Sequence, residues 1–182
     1  VENGIDWQKI IPLFYPSFPS EEGFESSEDV VDFIKELLTQ TGSWSSSSVL
    51  ARAESLDING AGKIEDGKTI PGPELSEFYK EAGELSAFGL PLPTKYGGLG
   101  LPCSALMILL AQLSRSCISS CTQLAFFTSI GDMVNRFCDE ETKKRLIPQI
   151  INGDISGSMC LTEPDCGSDL AKIKTSATPQ PD

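Results

Sequence analysis

The sequence predicts a mainly α-helical fold that passes into a β region near the end of the chain. Apolar residues recur at helical spacing through roughly the first 150 positions. Capping residues precede many of these runs and glycines follow them, as is typical of helix ends. After Asp154 the pattern changes to short segments that alternate between apolar and polar residues, which is typical of strands.

Composition excludes several classes of function. The 182 residues include 14 Lys and Arg against 26 Asp and Glu, a formal charge of −12, which disfavours nucleic acid and anionic lipid as partners. No histidine is present, so a Ser-His-Asp triad, a Cys-His pair and a His-Glu-x-x-His zinc helix are excluded. No apolar run approaches the roughly 20 residues that cross a bilayer. We therefore predict no nucleic-acid partner, no metal site and no transmembrane segment.

The cysteines indicate a reducing compartment. There are six, at Cys103, Cys117, Cys121, Cys138, Cys160 and Cys166. Most lie in or beside apolar segments without a Cys-x-x-Cys spacing, so we expect reduced and mostly buried thiols. The opening residues lack the basic and apolar regions of a secretory signal. We expect a cytoplasmic protein, or a protein of the mitochondrial matrix if the source is eukaryotic.

The N-terminal residues combine aromatic side chains with three prolines. This composition predicts an extended segment that lies over a hydrophobic surface, up to about residue 25. Ser26 or Ser27 then caps a helix that ends at Gly42. Residues 43–48 are almost all serine and predict a linker or a helix cap. A shorter helix is expected from about residue 49 to residue 56.

The middle of the chain predicts a loop and then two helices. Residues 57–72 contain four glycines, which favours an irregular loop with a turn at Gly67-Lys68. Pro73 is well placed in the first turn of the next helix, and Gly89 is a natural stop. Residues 105–113 are apolar on nearly every face, which predicts a central helix of a bundle.

Two further helices precede the change of pattern. One is expected from about residue 119 to residue 137, with a bend at Gly131. Asp139 caps the other, which closes at Asn152-Gly153. Residues 155–162 and 171–177 then have the character of strands.

These elements predict three segments. Residues 1–48 form an N-terminal extension with one helix, residues 49–154 form a helical domain, and residues 155–182 begin a second, truncated domain. Because an isolated hairpin is poorly stable, we expect the chain to be a fragment or one half of a split protein.

The residues with the clearest chemical character are Met159-Cys-Leu-Thr-Glu-Pro-Asp-Cys-Gly-Ser-Asp169. Here Thr162 presents a hydroxyl at the end of a predicted strand. Gly167 lets the backbone approach a ligand closely, and consecutive N–H groups with Ser168 suit an anionic oxygen. The alternative is an ordinary Asp/Gly/Ser turn between two strands.

This stretch closely resembles the signature of the acyl-CoA dehydrogenases, which are FAD enzymes. The resemblance rests on Cys160-Leu-Thr-Glu-Pro164 followed by Gly167-Ser-Asp169. Residues 90–100 and 141–153 resemble two further motifs of the family, a loop between early helices and the helix before the signature. The order and separation of the three also fit, so the resemblance covers residues 73–177.

The resemblance implies a fold and a set of site residues. The family has an N-terminal helical bundle, a middle β-barrel and a second helical bundle, so residues 155–182 are expected to supply the first strands of the barrel. The implied FAD-binding residues are Met159, Cys160, Leu161, Thr162, Gly167 and Ser168. Leu161 and Thr162 are implied to contact the pyrimidine side of the flavin, and Ser168 to bond the pyrophosphate or to lie near the CoA arm. The implied acyl-CoA-binding residues are Ser168, Thr122, Gln123 and Phe126, on or near a helix face that also holds Cys121. For that helix face the alternative is an ordinary apolar core.

Some positions depart from the family pattern. Cys166 stands where a small Gly or Ala is more usual, and Lys172 replaces a small residue. The segment before Pro73 is also longer than in the simplest members, which resembles a subgroup with an N-terminal extension.

The implied reaction is α,β-desaturation of an acyl-CoA thioester. A carboxylate removes the α-proton, a hydride leaves for the flavin, and the electrons pass to an electron-transfer flavoprotein. The resemblance implies that the catalytic glutamate lies beyond residue 182, so no catalytic residue is assigned here, and Glu163 is interpreted as a structural acceptor. The remaining polypeptide or a companion chain is an expected partner, and a homo-oligomer is expected. The alternatives are an acyl-CoA oxidase-type enzyme and a non-catalytic helical interaction module.

Overall fold

Seven α-helices and one β-hairpin make up most of the regular structure of residues 4–180, the part of the chain that the computed structural model describes. The helices are α1 (Trp7–Phe14), α2 (Ser27–Trp44), α3 (Leu50–Asn59), α4 (Pro73–Glu84), α5 (Cys103–Ser116), α6 (Ile118–Phe137) and α7 (Glu140–Asn152). The hairpin consists of β1 (Gly62–Glu65) and β2 (Lys68–Pro71). The predicted mainly α-helical fold is confirmed. Residues 1–3 and 181–182, at the outer ends of the predicted first and last segments, lie outside the described residues.

Helix α5 is central, as its apolar sequence predicts. It packs against α2 on one side and α6 on the other, and α6 packs in turn against α7. Ala105, Leu109 and Leu113 are completely buried in this core. One face of α5 stays open, since half of the Met107 surface is exposed.

The N-terminal segment contains a helix where an extended chain was expected. Trp7 and Ile11 lie one helical turn apart in α1, and both are buried in the same core as α5. Pro12 removes one hydrogen bond from α1, and the burial of two large side chains outweighs that loss. The Tyr15 hydroxyl then donates to the carbonyl of Gly100 at 2.8 Å. The predicted extension therefore holds two helices rather than one.

Helix α2 begins as predicted but does not end at Gly42. The Ser26 hydroxyl accepts from the Asp29 N–H at 3.2 Å, which confirms the cap. The chain continues through a π-helical turn, Ser45–Val49, directly into α3, so the predicted linker is wrong. Ser45 is buried and donates to the Gln112 carbonyl at 3.1 Å. A Cβ at Gly42 would lie 3.0 Å from the Gln112 amide nitrogen, so this glycine permits close packing with α5.

Residues 62–71 form a hairpin instead of the expected irregular loop. Its turn is Asp66-Gly67, one residue earlier than predicted, and both residues have positive φ, at 50° and 74°. These values suit the two-residue turn that joins tightly paired strands, for which Asp-Gly is a favoured sequence. The sequence Asp66-Gly67 therefore contains the local signal for a hairpin turn.

The ends of α4 and α7 agree with their predicted signals. Pro73 is the first residue of α4, and the Asp139 carboxylate caps α7 by accepting from the Thr142 N–H at 2.8 Å. Gly153 closes α7 in the left-handed conformation, with φ of 82°. Helix α4 itself stops at Glu84, and a short 3₁₀ turn, Ala87–Gly89, leads to the predicted stop.

The last described residues form no regular strand within residues 155–180. Glu163 and Cys166 make one isolated bridge, and Leu170–Lys172 form a 3₁₀ turn. A strand requires a neighbour for its N–H and C=O groups, and the described chain supplies none here. The boundaries of the three predicted segments stay a prediction.

The cysteines are less buried than expected. All six are free thiols in the described residues. Only Cys121 and Cys166 are buried, so the prediction of mostly buried thiols is wrong. Cys117 and Cys138 are half-buried, and Cys103 and Cys160 are exposed.

A partly buried ion pair ties the π-helical turn and α3 to α4. The Glu81 carboxylate accepts from Arg52, from the Trp44 indole N–H at 2.7 Å and from the Ser48 hydroxyl at 2.7 Å. The Glu81 side chain is 22% exposed. The bond from Arg52, and those from Ser48 and Trp44, lower the pKa of Glu81 to about 2 against the opposing effect of burial.

We expect Glu81→Gln to lower the free energy of unfolding at pH 7 by about 1–2 kcal/mol, because it removes the charge that faces Arg52. Since the pKa of Glu81 is depressed, the carboxylate stabilises the fold above pH 4.5, and this contribution disappears as the pH falls toward 2. The gap between wild type and variant should therefore shrink in acid, as measured by urea unfolding at several pH values. Glu77→Gln is the control, because Glu77 is an exposed residue of the same helix. An equal effect of both variants would contradict the expectation.

Candidate functional site

The candidate site is the signature segment, residues 155–177, which leaves the helical bundle at the end of α7. The left-handed Gly153 turns the chain, and the Asp154 N–H then donates to the Gln149 carbonyl at 2.9 Å. Gly157 lies against α6, where a Cβ would come within 2.9 Å of Ile130. Helices α6 and α7 thus fix the point from which the segment begins.

The first four predicted cofactor residues are exposed on a segment without regular secondary structure. Met159 and Leu161 are 39% and 43% exposed, and Cys160 and Thr162 are exposed as well. Residues 156–162 make no backbone–backbone hydrogen bond within the described chain. This part of the segment therefore offers free N–H and C=O groups beside apolar side chains.

A tight turn brings a fifth predicted residue, Gly167, next to Thr162. The Glu163 N–H donates to the Cys166 carbonyl at 2.8 Å, and the Cys166 N–H donates back at 3.2 Å. As a result Gly167 lies beside Thr162, and a Cβ at Gly167 would be 3.8 Å from the Thr162 hydroxyl oxygen. Ser168 follows directly and is exposed. The turn also accommodates the unusual Cys166, whose side chain is buried.

Glu163 closes the signature segment on itself. Its carboxylate accepts from the Lys174 N–H at 3.0 Å, from the Thr175 N–H at 2.8 Å and from the Thr175 hydroxyl. These bonds, that from the Thr175 hydroxyl first, lower the pKa of Glu163. Glu163 thus has the contacts of a structural acceptor.

The predicted substrate residues on α6, and Cys121 beside them, differ in burial and in hydrogen-bond partners. The Cys121 thiol donates to the Leu110 carbonyl at 3.3 Å and is part of the core. Thr122 is exposed, and Phe126 is half-buried. Gln123 accepts at 2.9 Å from the hydroxyl of Tyr79 on α4, so its side chain oxygen already has a partner. None of Thr122, Gln123 and Phe126 lines the cleft between α4 and α7 described next.

A cleft of about 650 Å³ lies between α4 and the end of α7. Its lining residues include Tyr79, Phe127, Asn152, Asp154 and Ser156. Burial raises the pKa of Tyr79, which favours the neutral phenol that donates to Gln123. The sequence did not reveal the hydrogen bond of Tyr79 at the edge of this cleft, because its partner Gln123 is 44 positions away.

The described residues contain neither a metal site nor a helix that could span a membrane. Within residues 4–180, no three His, Cys, Asp or Glu side chains are grouped so as to hold a metal ion. Over the same residues, no helix combines the length and the apolar character needed to cross a membrane.

We expect Glu163→Gln to loosen residues 171–177, because the charge that receives the two N–H groups is lost. Hydrogen exchange at the amides of Lys174 and Thr175 should accelerate by about two- to tenfold at neutral pH. In the wild type the same protection should fade in acid, since a depressed pKa keeps Glu163 charged to below its ordinary value of 4.5. Asp165→Asn is the control, because Asp165 bonds only the exposed Lys174 ammonium, at 3.4 Å. Unchanged exchange in Glu163→Gln would show that the carboxylate does not hold the segment.

Comparison with known proteins identifies the family. Residues 50–154 match the family profile described as "Acyl-CoA dehydrogenase, N-terminal domain". An acyl-CoA dehydrogenase of Bacillus subtilis is 32% identical over 102 residues, which are 56% of this chain and 27% of that protein. The mitochondrial isovaleryl-CoA dehydrogenase of Bos taurus is 29% identical over 106 residues, 57% of this chain and 24% of that protein. The benzylmalonyl-CoA dehydrogenase of Aromatoleum aromaticum is 33% identical over 101 residues, 55% of this chain and 27% of that protein.

The match thus spans only about a quarter of the length of these relatives. Within this chain, however, the profile covers more than half of the residues and includes α3 to α7. The chain therefore belongs to the acyl-CoA dehydrogenase family, of which it contains the N-terminal helical domain.

Proposed function

We propose that this chain is the N-terminal part of an FAD-dependent acyl-CoA dehydrogenase that desaturates an acyl-CoA thioester between its α and β carbons. The observation that carries the proposal is the exposed signature segment, in which Thr162 and Gly167 lie side by side next to a chain with free backbone groups. The names of the relatives, which include isovaleryl-CoA and benzylmalonyl-CoA dehydrogenases, support an acyl-CoA substrate.

The residues of the signature segment fit an FAD molecule. A flavin ring has a flat apolar face and a polar edge, and residues 159–162 offer exposed apolar side chains together with unpaired N–H and C=O groups. The hydroxyl of Thr162 is free to bond the polar edge. Ser168 and the neighbouring backbone suit a pyrophosphate oxygen. When bound, FAD supplies the acceptor for the hydride that leaves the β carbon.

The chain's own residues have distinct parts in this proposal. Met159, Cys160, Leu161 and Thr162 hold the ring, and Gly167 and Ser168 hold the phosphate side. Glu163 positions these groups by closing the segment through its bonds to Lys174 and Thr175. On the substrate side, Ser168, Thr122, Gln123 and Phe126 contact the acyl-CoA. The base that removes the α-proton is not assigned to this chain.

The proposal includes partners and a location. The electron acceptor is an electron-transfer flavoprotein, and the protein acts as a homo-oligomer, together with the remaining polypeptide or a companion chain. The location is the cytoplasm, or the mitochondrial matrix in a eukaryote. The bovine relative, which is named as mitochondrial, supports the second of these locations.

The test of the proposed function uses the product of the complete reading frame. We expect a yellow protein whose flavin absorption bleaches when an acyl-CoA is added without oxygen and returns when an electron acceptor is supplied. Consumption of oxygen by the reduced protein would instead indicate an acyl-CoA oxidase. A folded product without flavin, which also fails to take up added FAD, would contradict the proposal and leave a helical interaction module.

We expect Thr162→Ala to weaken FAD retention or to slow flavin reduction in that product. One neutral hydrogen bond contributes about 0.5–1.5 kcal/mol, which corresponds to a two- to twelvefold effect. FAD dissociation is measured by fluorescence, and reduction by stopped-flow absorbance.

Thr178→Ala serves as the control, because Thr178 is also exposed and lies outside the signature segment. Equal FAD affinity and equal reduction rates in the wild type and Thr162→Ala would exclude the proposed bond.

A further inference from the structure

The β-hairpin ends at Pro71, which lines the cleft beside Asp154 and Ser156, and its outer edge at β1 is open. Residues 61–71 are all exposed, and the Ile64 side chain in the middle of β1 is 76% exposed. An isolated two-stranded hairpin is only marginally stable in water, and an exposed strand edge is a template for a further strand. Ile64 is thus a large, exposed apolar residue at the centre of a strand edge that can pair with a further strand.

The register shows which backbone groups are free. Ala61 accepts from the Gly72 N–H at 2.9 Å, and Lys63 pairs with Ile70. Because hydrogen-bonded pairs alternate with non-bonded pairs in an antiparallel ladder, the N–H and C=O of Ile64 point away from β2. Neither group bonds to another part of the described chain. The outer edge of β2 is less suitable for pairing, since Pro71 lacks an N–H.

The sequence of β1 is complementary to itself. An antiparallel second copy centred on Ile64 puts Ile64 opposite Ile64 and puts Lys63 opposite Glu65 on both sides of the axis. Lys63 and Glu65 share one face of β1, where their charged groups lie 2.5 Å apart. Opposite charges directly across two strands are stabilising. The two Ile64 residues would also exchange both of their free backbone hydrogen bonds.

Other registers are disfavoured by the same charges. Shifting the pairing by two residues one way puts Lys63 opposite Lys63, and shifting it the other way puts Glu65 opposite Glu65. Both shifts place like charges across the interface, which is destabilising. The hairpin is moreover electrically neutral, with Lys63 and Lys68 against Glu65 and Asp66, in a chain of net charge −12. Self-association at this point avoids the repulsion that other acidic surfaces would create.

We propose that the outer edge of β1 is a homodimer interface, at which a second copy of this chain pairs antiparallel through Ile64. The product is a four-stranded sheet, in the order β2-β1-β1-β2, with a two-fold axis at Ile64. The interface is small, so the dimer is weak and forms at high protein concentration, as transient interfaces do. The proposal adds one interface to the homo-oligomer proposed above, and it does not depend on FAD binding or on catalysis.

The first test is the concentration dependence of the oligomeric state of the 182-residue chain. Sedimentation velocity from about 10 μM to about 1 mM covers the range expected for a small interface. We expect a monomer–dimer equilibrium that weakens as salt is added. A chain that remains monomeric over the whole range would overturn the proposal.

The second test uses charge reversal with a matched rescue. Lys63→Glu and Glu65→Lys should each weaken the dimer at least tenfold, because each places like charges opposite one another. An equimolar mixture of the two variants should form heterodimers, since every facing pair is then of opposite sign. Failure of the mixture to associate, or dimerisation of either variant alone at the wild-type level, would contradict the interface.

The third test separates the two edges of the hairpin. Ile64→Pro removes the outward N–H of β1 and should abolish the dimer, whereas Thr69→Pro removes the outward N–H of β2 and should leave the dimer intact. Circular dichroism confirms that each variant is folded. Equal dimerisation of both proline variants would assign the contact to another surface. The pairing would also be refuted if both proline variants lost the dimer while both charge-reversal variants dimerised as well as the wild type.

Discussion

The close approach of α4 and α7 is the constraint on which the candidate site depends. A Cβ at Gly83 would lie 2.2 Å from the Asn152 carbonyl oxygen, and one at Gly153 would lie 2.9 Å from the Tyr79 carbonyl oxygen. The backbones of the two helices therefore meet at the end of α7, where the signature segment begins. Because Gly153 also has a positive φ, this position combines a close contact with a conformation that other residues rarely adopt. The direction in which the segment leaves the bundle follows from that contact.

The N-terminal helices support this arrangement from the other side of the bundle. Helices α1 and α2 share one hydrophobic core with α5 and α6. The hydrogen bond from Ser48 to Glu81 joins the π-helical turn to α4. Trp44 belongs both to the hydrophobic core and to the hydrogen bonds around Glu81. Its indole N–H donates to Glu81, and its ring stacks on that of Phe78 with 5.4 Å between the ring centroids. The residues that precede the matched profile are thus an integral part of the helical core and not an appendage. The exposed hairpin lies between α3 and α4 in the chain.

Local signals were predicted correctly where they depend on residues a few positions apart. Ser26 and Asp139 cap their helices through bonds to residues three positions further on, so the sequence contains both partners. Gly42 was misread because its role depends on Gln112 of another helix. The candidate site likewise contains one contact between residues close in sequence and one between distant helices. The proximity of Thr162 and Gly167 follows from a short turn, whereas the bond between Tyr79 and Gln123 requires the packing of α4 on α6.

The sequence by itself determined the helical class, most helix starts and the signature residues, because periodicity, capping and turn chemistry act over a few positions. Only the tertiary structure decided that α1 is a helix, that α2 runs through Gly42, and that residues 156–162 have free backbone groups. Each of these features depends on what lies opposite the residue in space. Packing of α1 on α2 favours the first feature, and packing of α2 on α5 favours the second. The absence of a neighbouring strand within the described chain leaves the backbone groups of residues 156–162 available for a ligand or a further strand.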